Sequence, residues 1–293
     1  MSHSDKINRL LMIFSMLIFG TIGLFVNNIS LSSSFIAFAR ALIGAAFIGA
    51  FMLITGRKAD FGLIKKNLKF LVPSGIAMGS NWICLFESYR FAGVSVGTLC
   101  YYMAPVILVL MSPIILKEKL TVLKCITSAA AIAGAVLISG AASGTVKSAK
   151  GIAFGLAAAV LYATVILINK YVTGMSPVET TFIQLVSAAV VVLPYVLISE
   201  DVRSFVFDSR SVILIAIVGI FHTGIVYILY FGAVQKIPTQ TTAVFSYIDP
   251  VTAIILSAVV LHERLTGIQI LGTVLILGAT LFNELAPSFK KRA

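Results

Sequence analysis

Five ionisable side chains stand in or at the ends of long apolar stretches: Arg40, Glu87, Arg90, His222 and Asp249. A charge isolated at the centre of a bilayer costs roughly 2.5 kcal/mol or more, so such groups pair with one another or line water. Asp249 reads in two ways, as a site for a substrate ammonium or a carried proton, or as half of a structural ion pair. Arg40 reads as a group that holds helices together or closes a gate. Glu87 with Arg90 reads as a solvated pair near an interface or as part of the same polar set. His222 reads as a hydrogen-bonded neutral core histidine or as a proton carrier near neutral pH.

Asp249 belongs to a stretch that the chain contains twice. Residues 101–121 read YYMAPVILVLMSPIILKEKLT and residues 246–266 read SYIDPVTAIILSAVVLHERLT. At an offset of 145, Tyr102 falls on Tyr247, Pro105 on Pro250 and Glu118 on Glu263, while Ala104 occupies the place of Asp249. Pro105 cannot donate to the carbonyl of Tyr101, nor Pro250 to that of Ser246, so each helix bends and frees an acceptor. A freed carbonyl in lipid must face protein or water. Two related bends facing one another make a polar mid-membrane site; the alternative is a packing kink satisfied by a neighbour. Asn81, Trp82, Tyr102, Tyr162, Tyr227 and Tyr247 are the candidate lining, because aromatic groups with polar tips hold organic solutes by stacking and hydrogen bonding. Interfacial belts and helix packing claim some of the aromatics. Gly75/Gly79, Gly93/Gly97 and Gly151/Gly155 have the spacing of close helix packing.

The elements that carry these residues are membrane helices. Of 293 residues 59% are hydrophobic and 11% charged, with a mean hydropathy of +1.05. Soluble domains carry about 25% charged residues. The net charge of +11 is spread over short inter-helix segments and not gathered on one face, which speaks against nucleic acid and for lipid headgroups. The first apolar run, Leu10–Val26, follows Lys6 and Arg9 as a signal peptide would, but with no small-residue cleavage site after it, and is read as a retained span. Further runs lie near 34–55, 70–89, 94–116, 122–140, 150–169, 178–199, 211–232, 239–261 and 266–284. Each approaches the ~20 residues that cross a hydrocarbon core. The expected fold is therefore an all-α polytopic membrane protein of ten transmembrane helices. Residues 57–69 are expected to include a short surface helix at Phe61–Asn67.

Basic residues favour the loops on the side of the N-terminus, about 15 against about 6. Both termini are therefore expected in the cytoplasm, in the plasma (inner) membrane. Five spans per half force the second half to enter from the opposite face, the plan of two inverted five-helix repeats. The expected units are 1–140, a Gly/Ser-rich linker at 141–150, 151–286, and a basic tail at 287–293.

Two five-span halves, a mid-span proline in the fourth span of each, and KEKL or HERL thirteen residues beyond it resemble the EamA family of the drug/metabolite transporter superfamily. The Asp249-Pro250 step and Arg40 match residues common in that family, and Ala104 departs from it. The resemblance implies ten helices, a small-molecule substrate in a cavity between the halves, and alternating access. It does not choose the substrate.

The expected function is thus a secondary transporter of a small metabolite, an amino acid or related organic solute, moved outward and coupled to protons or another ion. The alternative is an intramembrane lipid-handling protein, or an enzyme, for which Asp249 with His222 is the one conceivable acid/base set. The sequence holds no nucleotide loop, no metal-ligand spacing and no nucleophile triad, so no cofactor or metal is expected. Cys84, Cys100 and Cys125 read as core hydrophobes. Monomer and homodimer stay open.

Overall fold

The computed structural model describes residues 3–57, 60–115, 120–140 and 148–290. Thirteen α-helices follow one another: α1 (His3–Asn27), α2 (Ser33–Ile54), α3 (Phe61–Ala92), α4 (Val94–Tyr101), α5 (Ala104–Ile115), α6 (Val122–Ser139), α7 (Ala149–Asn169), α8 (Pro177–Ser199), α9 (Ser209–Ala216), α10 (Val226–Val234), α11 (Thr239–Ser246), α12 (Ile248–Val260) and α13 (Gly267–Lys290). A π-helical segment, Ile217–Ile225, joins α9 to α10 in a single rod. With α4–α5 and α11–α12 as broken rods, ten crossings result. Nine segments among the described residues are long and apolar enough to span a membrane. The tenth rod, α3, carries Lys65, Lys66, Lys69, Asn81 and Glu87, which lower its hydropathy.

Helix starts follow local chemistry. Ser32, Asp60, Thr121, Ser148 and Asp208 each accept hydrogen bonds from first-turn N–H groups, and Ser176 with Glu179 forms a reciprocal capping box behind Pro177. Such caps each stabilise a helix by about 1 kcal/mol. Three expectations are corrected here. Phe61–Asn67 is not a separate surface helix but the first two turns of α3, because Asp60 caps it and no breaker separates it from the span. Ala149 and Lys150 belong to α7 and not to a linker, because Ser148 is the cap; residues 141–147 lie outside the described residues. The helix of α13 runs on to Lys290, into the expected tail. Glu118 also lies outside the described residues.

The contacts between rods come in related pairs. α3 packs on α7 as α10 packs on α1; α3 packs on α8 as the π segment packs on α2; α1 packs on α12 as α5 and α4 pack on α7. The pairs α2·α8 and α6·α13 map onto themselves. This is the pattern of two five-helix repeats about a two-fold axis, and five crossings each make the repeats inverted. Glycines allow the closest approaches. A Cβ on Gly134 would lie 2.7 Å from the carbonyl of Gly272, and one on Gly272 2.6 Å from the carbonyl of Gly134, so α6 and α13 meet backbone to backbone. Gly75 and Gly79 fit against Ser187 and Val192 of α8, and Gly155 against Cys100 of α4.

The repeats differ in one way that matters for the site. Gly219 and Gly224 meet Ile43 and Phe47 of α2 in the manner of Gly75 and Gly79 on α8, but stand five residues apart instead of four. The π turn accommodates the extra residue.

Candidate functional site

The two proline rods break where the duplication relates them. α4 ends at Tyr101 and α5 begins at Ala104, while α11 ends at Ser246 and α12 begins at Ile248. Tyr102 and Tyr247 cap the broken helices at equivalent positions. Each proline then sits in the first turn of the next helix, where a missing N–H costs little. The break, not a bend within one helix, is how the structure accommodates Pro105 and Pro250.

The break tyrosines meet, with ring centroids 6.4 Å apart. The Tyr102 hydroxyl lies 3.0 Å from Asp249 Oδ2 and 3.3 Å from the carbonyl of Ser246. That carbonyl is the acceptor which Pro250 leaves free. Tyr101 stacks obliquely on Tyr162 at 5.1 Å and on Tyr102 edge-on at 6.1 Å. Tyr162 is 40% exposed, yet it stands within electrostatic reach of Asp249, Tyr227 and Tyr230. Asp249 itself is partly exposed.

Arg40 lies on the same inner side. It is 4% exposed, its guanidinium carbon 3.9 Å over the ring of Trp82 and its Nε donating to Thr223 Oγ1 at 2.8 Å. Thr223 in turn donates to the carbonyl of Val218, five residues back in the π turn, at 3.0 Å. Tyr89, Tyr101 and Tyr227 are within electrostatic reach of Arg40, and Tyr89 and Tyr101 also of Asp249. Arg40 and Asp249 therefore share tyrosine neighbours without forming an ion pair, contrary to the mutual compensation that their signs suggested. Trp82 and Tyr227 occupy equivalent places in the two halves at the offset of 145; Tyr227 packs edge-on against Phe19 and Phe231.

Three candidates are positioned elsewhere. Asn81 donates to the carbonyl of Ala158 at 2.6 Å and ties α3 to α7. Glu87 comes five residues after Trp82, which at 3.6 residues per turn places it on the far side of α3; there it is half-buried beside Cys84. His222 is buried between Thr21, whose Oγ1 is 2.8 Å from its Nε2, and the ring of Phe25 at 4.9 Å. Thr21 Oγ1 also bonds the carbonyl of Ile18 at 2.7 Å, and His222 Nδ1 lies 3.4 Å from the carbonyl of Ile217. His222 makes no contact with Asp249, and an acid/base pair of the two is not assembled.

Sequence reasoning did not single out Tyr89, Thr223 or Glu284. Glu284 of α13 lies within electrostatic reach of Tyr162 and Tyr247. Its signal was a lone acid near the end of the last span; Thr223 had none, because its role depends on the π turn.

The two ends of the bundle are closed differently. At the end where α1 finishes, the Glu263 carboxylate accepts from the backbone N–H of Val94 at 2.8 Å and of Ser95 at 3.0 Å, at the start of α4. Ser257 also donates to it. Ser95 bonds Ser257 at 2.8 Å, and Ser34 bonds Glu200 at 2.6 Å. Arg90 donates to the carbonyl of Leu31, and Arg210 to Asn28. Gly93, with φ +87°, gives Glu263 its room, since a Cβ there would lie 2.8 Å from the carboxylate. At this end α4 packs on α12; among the described residues, the related pair α5 and α11 at the other end has no comparable interface.

The sequence profile of the EamA-like transporter family matches residues 7–140 and again 149–284. An uncharacterized transporter, YxxF, of Bacillus subtilis (strain 168) is 31% identical over 268 residues, covering 90% of this chain and 85% of its own. An uncharacterized transporter of Archaeoglobus fulgidus is 24% identical over 270 residues, covering 92% and 93%. Protein PecM of Dickeya dadantii (strain 3937) is 23% identical over 229 residues, covering 76% of each chain. A crystal structure with 18% sequence identity superimposes with a TM-score of 0.66 over 98% of this chain and 99% of that one, a likeness of fold.

Proposed function

The chain belongs to the EamA-like transporter family, and from that premise we propose a secondary transporter that carries a small organic metabolite by alternating access between its repeats. The observation that carries the reading is the asymmetry of the two broken rods. α4 and α12 are packed together and latched by Glu263, while the related α5 and α11 are not. In an inverted repeat, exchanging the two arrangements closes one end and opens the other around a fixed site. The fixed site is the space between Tyr102, Asp249, Tyr162, Arg40 and Trp82.

The basic bias of the loops supports both termini in the cytoplasm and the plasma membrane as location, and the end latched by Glu263 is then the outer one. Asp249 is the group proposed to couple transport to protons. Outward movement is the expectation that accompanies the family resemblance.

The test is uptake and counterflow in proteoliposomes with amino acids, organic acids, nucleobases and organic cations, with and without an imposed pH gradient. Saturable movement of at least one class is expected. If none moves under any gradient, the carrier reading fails.

A further inference from the structure

Arg40 is buried among helices and carries a charge that no protein in water or lipid gives up. Its contacts are an indole face and one hydroxyl. The ring and Thr223 fix the guanidinium plane from two directions, and Thr223 is itself held by the π turn. Nη1 and Nη2 make no hydrogen bond to the described residues, and neither is sealed from solvent. A buried cation whose two outer nitrogens are unpaired is costly unless an anion arrives to pair them.

A scaffold role is a poor explanation for such a group. The caps Ser32 and Ser176 relate α2 to α8 at an offset of 144, and there the place of Arg40 is taken by Gln184. The second repeat fills the position with a buried amide that is paired within the bundle, donating to Ser74 Oγ at 2.5 Å and to Asn169 Oδ1 at 2.6 Å. The outer nitrogens of Arg40 have no such partners among the described residues and call for one that the framework does not supply.

We infer that Arg40 is the receptor for a carboxylate on the transported solute, its Nη1 and Nη2 donating in parallel to the two carboxylate oxygens while Trp82 supports the plane. Planar, two-point recognition is what distinguishes a guanidinium from an ammonium. The inference rests on the carrier reading and narrows it to solutes that bear a carboxylate.

Trp82 is the single tryptophan of the chain, so intrinsic emission reports on the group beneath Arg40. The experiment titrates the purified full-length protein in nanodiscs with matched acids and amides: aliphatic and aromatic monocarboxylates, dicarboxylates and α-amino acids, each beside its primary amide, with inorganic phosphate as a further arm. A saturating change in emission is expected for at least one acid, with its amide at least about tenfold weaker, the loss of one charge-assisted bond pair. Arg40→Lys keeps the charge without the fork and is expected to weaken the acid by about tenfold; Arg40→Gln is expected to abolish the response. Equal responses to acid and amide, a response to phosphate and no carboxylate, or no response to any acid would overturn the assignment. Should Arg40→Gln not fold, the acid-to-amide comparison on the unaltered protein and Arg40→Lys decide. Counterflow with the same purified protein in proteoliposomes separates the two readings. Neutral or cationic solutes exchanging while no acid binds sinks the Arg40 site and leaves the carrier; acids binding as expected while nothing exchanges does the reverse.

Discussion

The hydroxyl of Tyr102 lies 3.0 Å from Asp249 and 3.3 Å from the carbonyl of Ser246. It has one hydrogen and two acceptors, so it serves one at a time. When Asp249 is ionised, the hydroxyl donates to the carboxylate. When Asp249 is protonated, the acid donates to Tyr102 and frees the tyrosine hydrogen for Ser246. One proton on Asp249 thereby redirects a bond to the broken segment between α11 and α12.

Asp249→Asn retains an acceptor for Tyr102 and cannot ionise. Accumulation driven by a pH gradient is expected to vanish, while counterflow at equal pH continues. Uptake of the identified solute into proteoliposomes at two internal pH values measures this; undiminished gradient-driven accumulation would remove Asp249 as the coupling group.

Pro250→Ala restores an N–H that can reach the Ser246 carbonyl in place of Tyr102. The α11–α12 rod is expected to straighten, with turnover falling by roughly an order of magnitude and thermal stability holding within about 1 kcal/mol. Transport rate and melting temperature on the same sample check it. A stability loss with unchanged turnover contradicts the role given to the break.

Glu263→Ala removes the acceptor for the first N–H groups of α4, a cap worth about 0.5–2 kcal/mol. Amide hydrogen exchange of the Val94–Thr98 segment is expected to accelerate by about threefold to thirtyfold, with little change in α6 and α13. Gly93→Ala, which places a methyl 2.8 Å from the carboxylate at φ +87°, is expected to act in the same direction. Unchanged exchange in both variants would mean that this end is held shut by other contacts.

Gly134→Ala inserts a methyl 2.7 Å from the Gly272 carbonyl. Backbone cannot yield as a flexible side chain does, so a loss of about 1–3 kcal/mol is expected. Because the contact of Gly134 with Gly272 involves neither Arg40 nor Asp249, the folded fraction is expected to transport normally. Thermal denaturation followed by light scattering, with activity per folded molecule, distinguishes the two effects.

Composition and an internal duplication were enough to determine the class of this protein and its gross plan. Few charges among so many apolar residues leave lipid as the only solvent for the exterior. A proline at equivalent places in two five-span halves fixed where the fourth and ninth rods break. Which way each helix turns was another matter. A rod such as α2, apolar around nearly its whole circumference, has no polar stripe to reveal its inner face, so Arg40 was visible as a charge but not as a neighbour of Trp82. Asn81 and Trp82 are adjacent in sequence yet belong to different interfaces, and Glu87 faces away from both. Tyr102 meets Asp249, 147 residues further on, only because inversion brings the two breaks to one level of the bundle. The π turn that seats Thr223 beneath Arg40 comes from fitting one extra residue against α2, a constraint that exists only once the helices are packed.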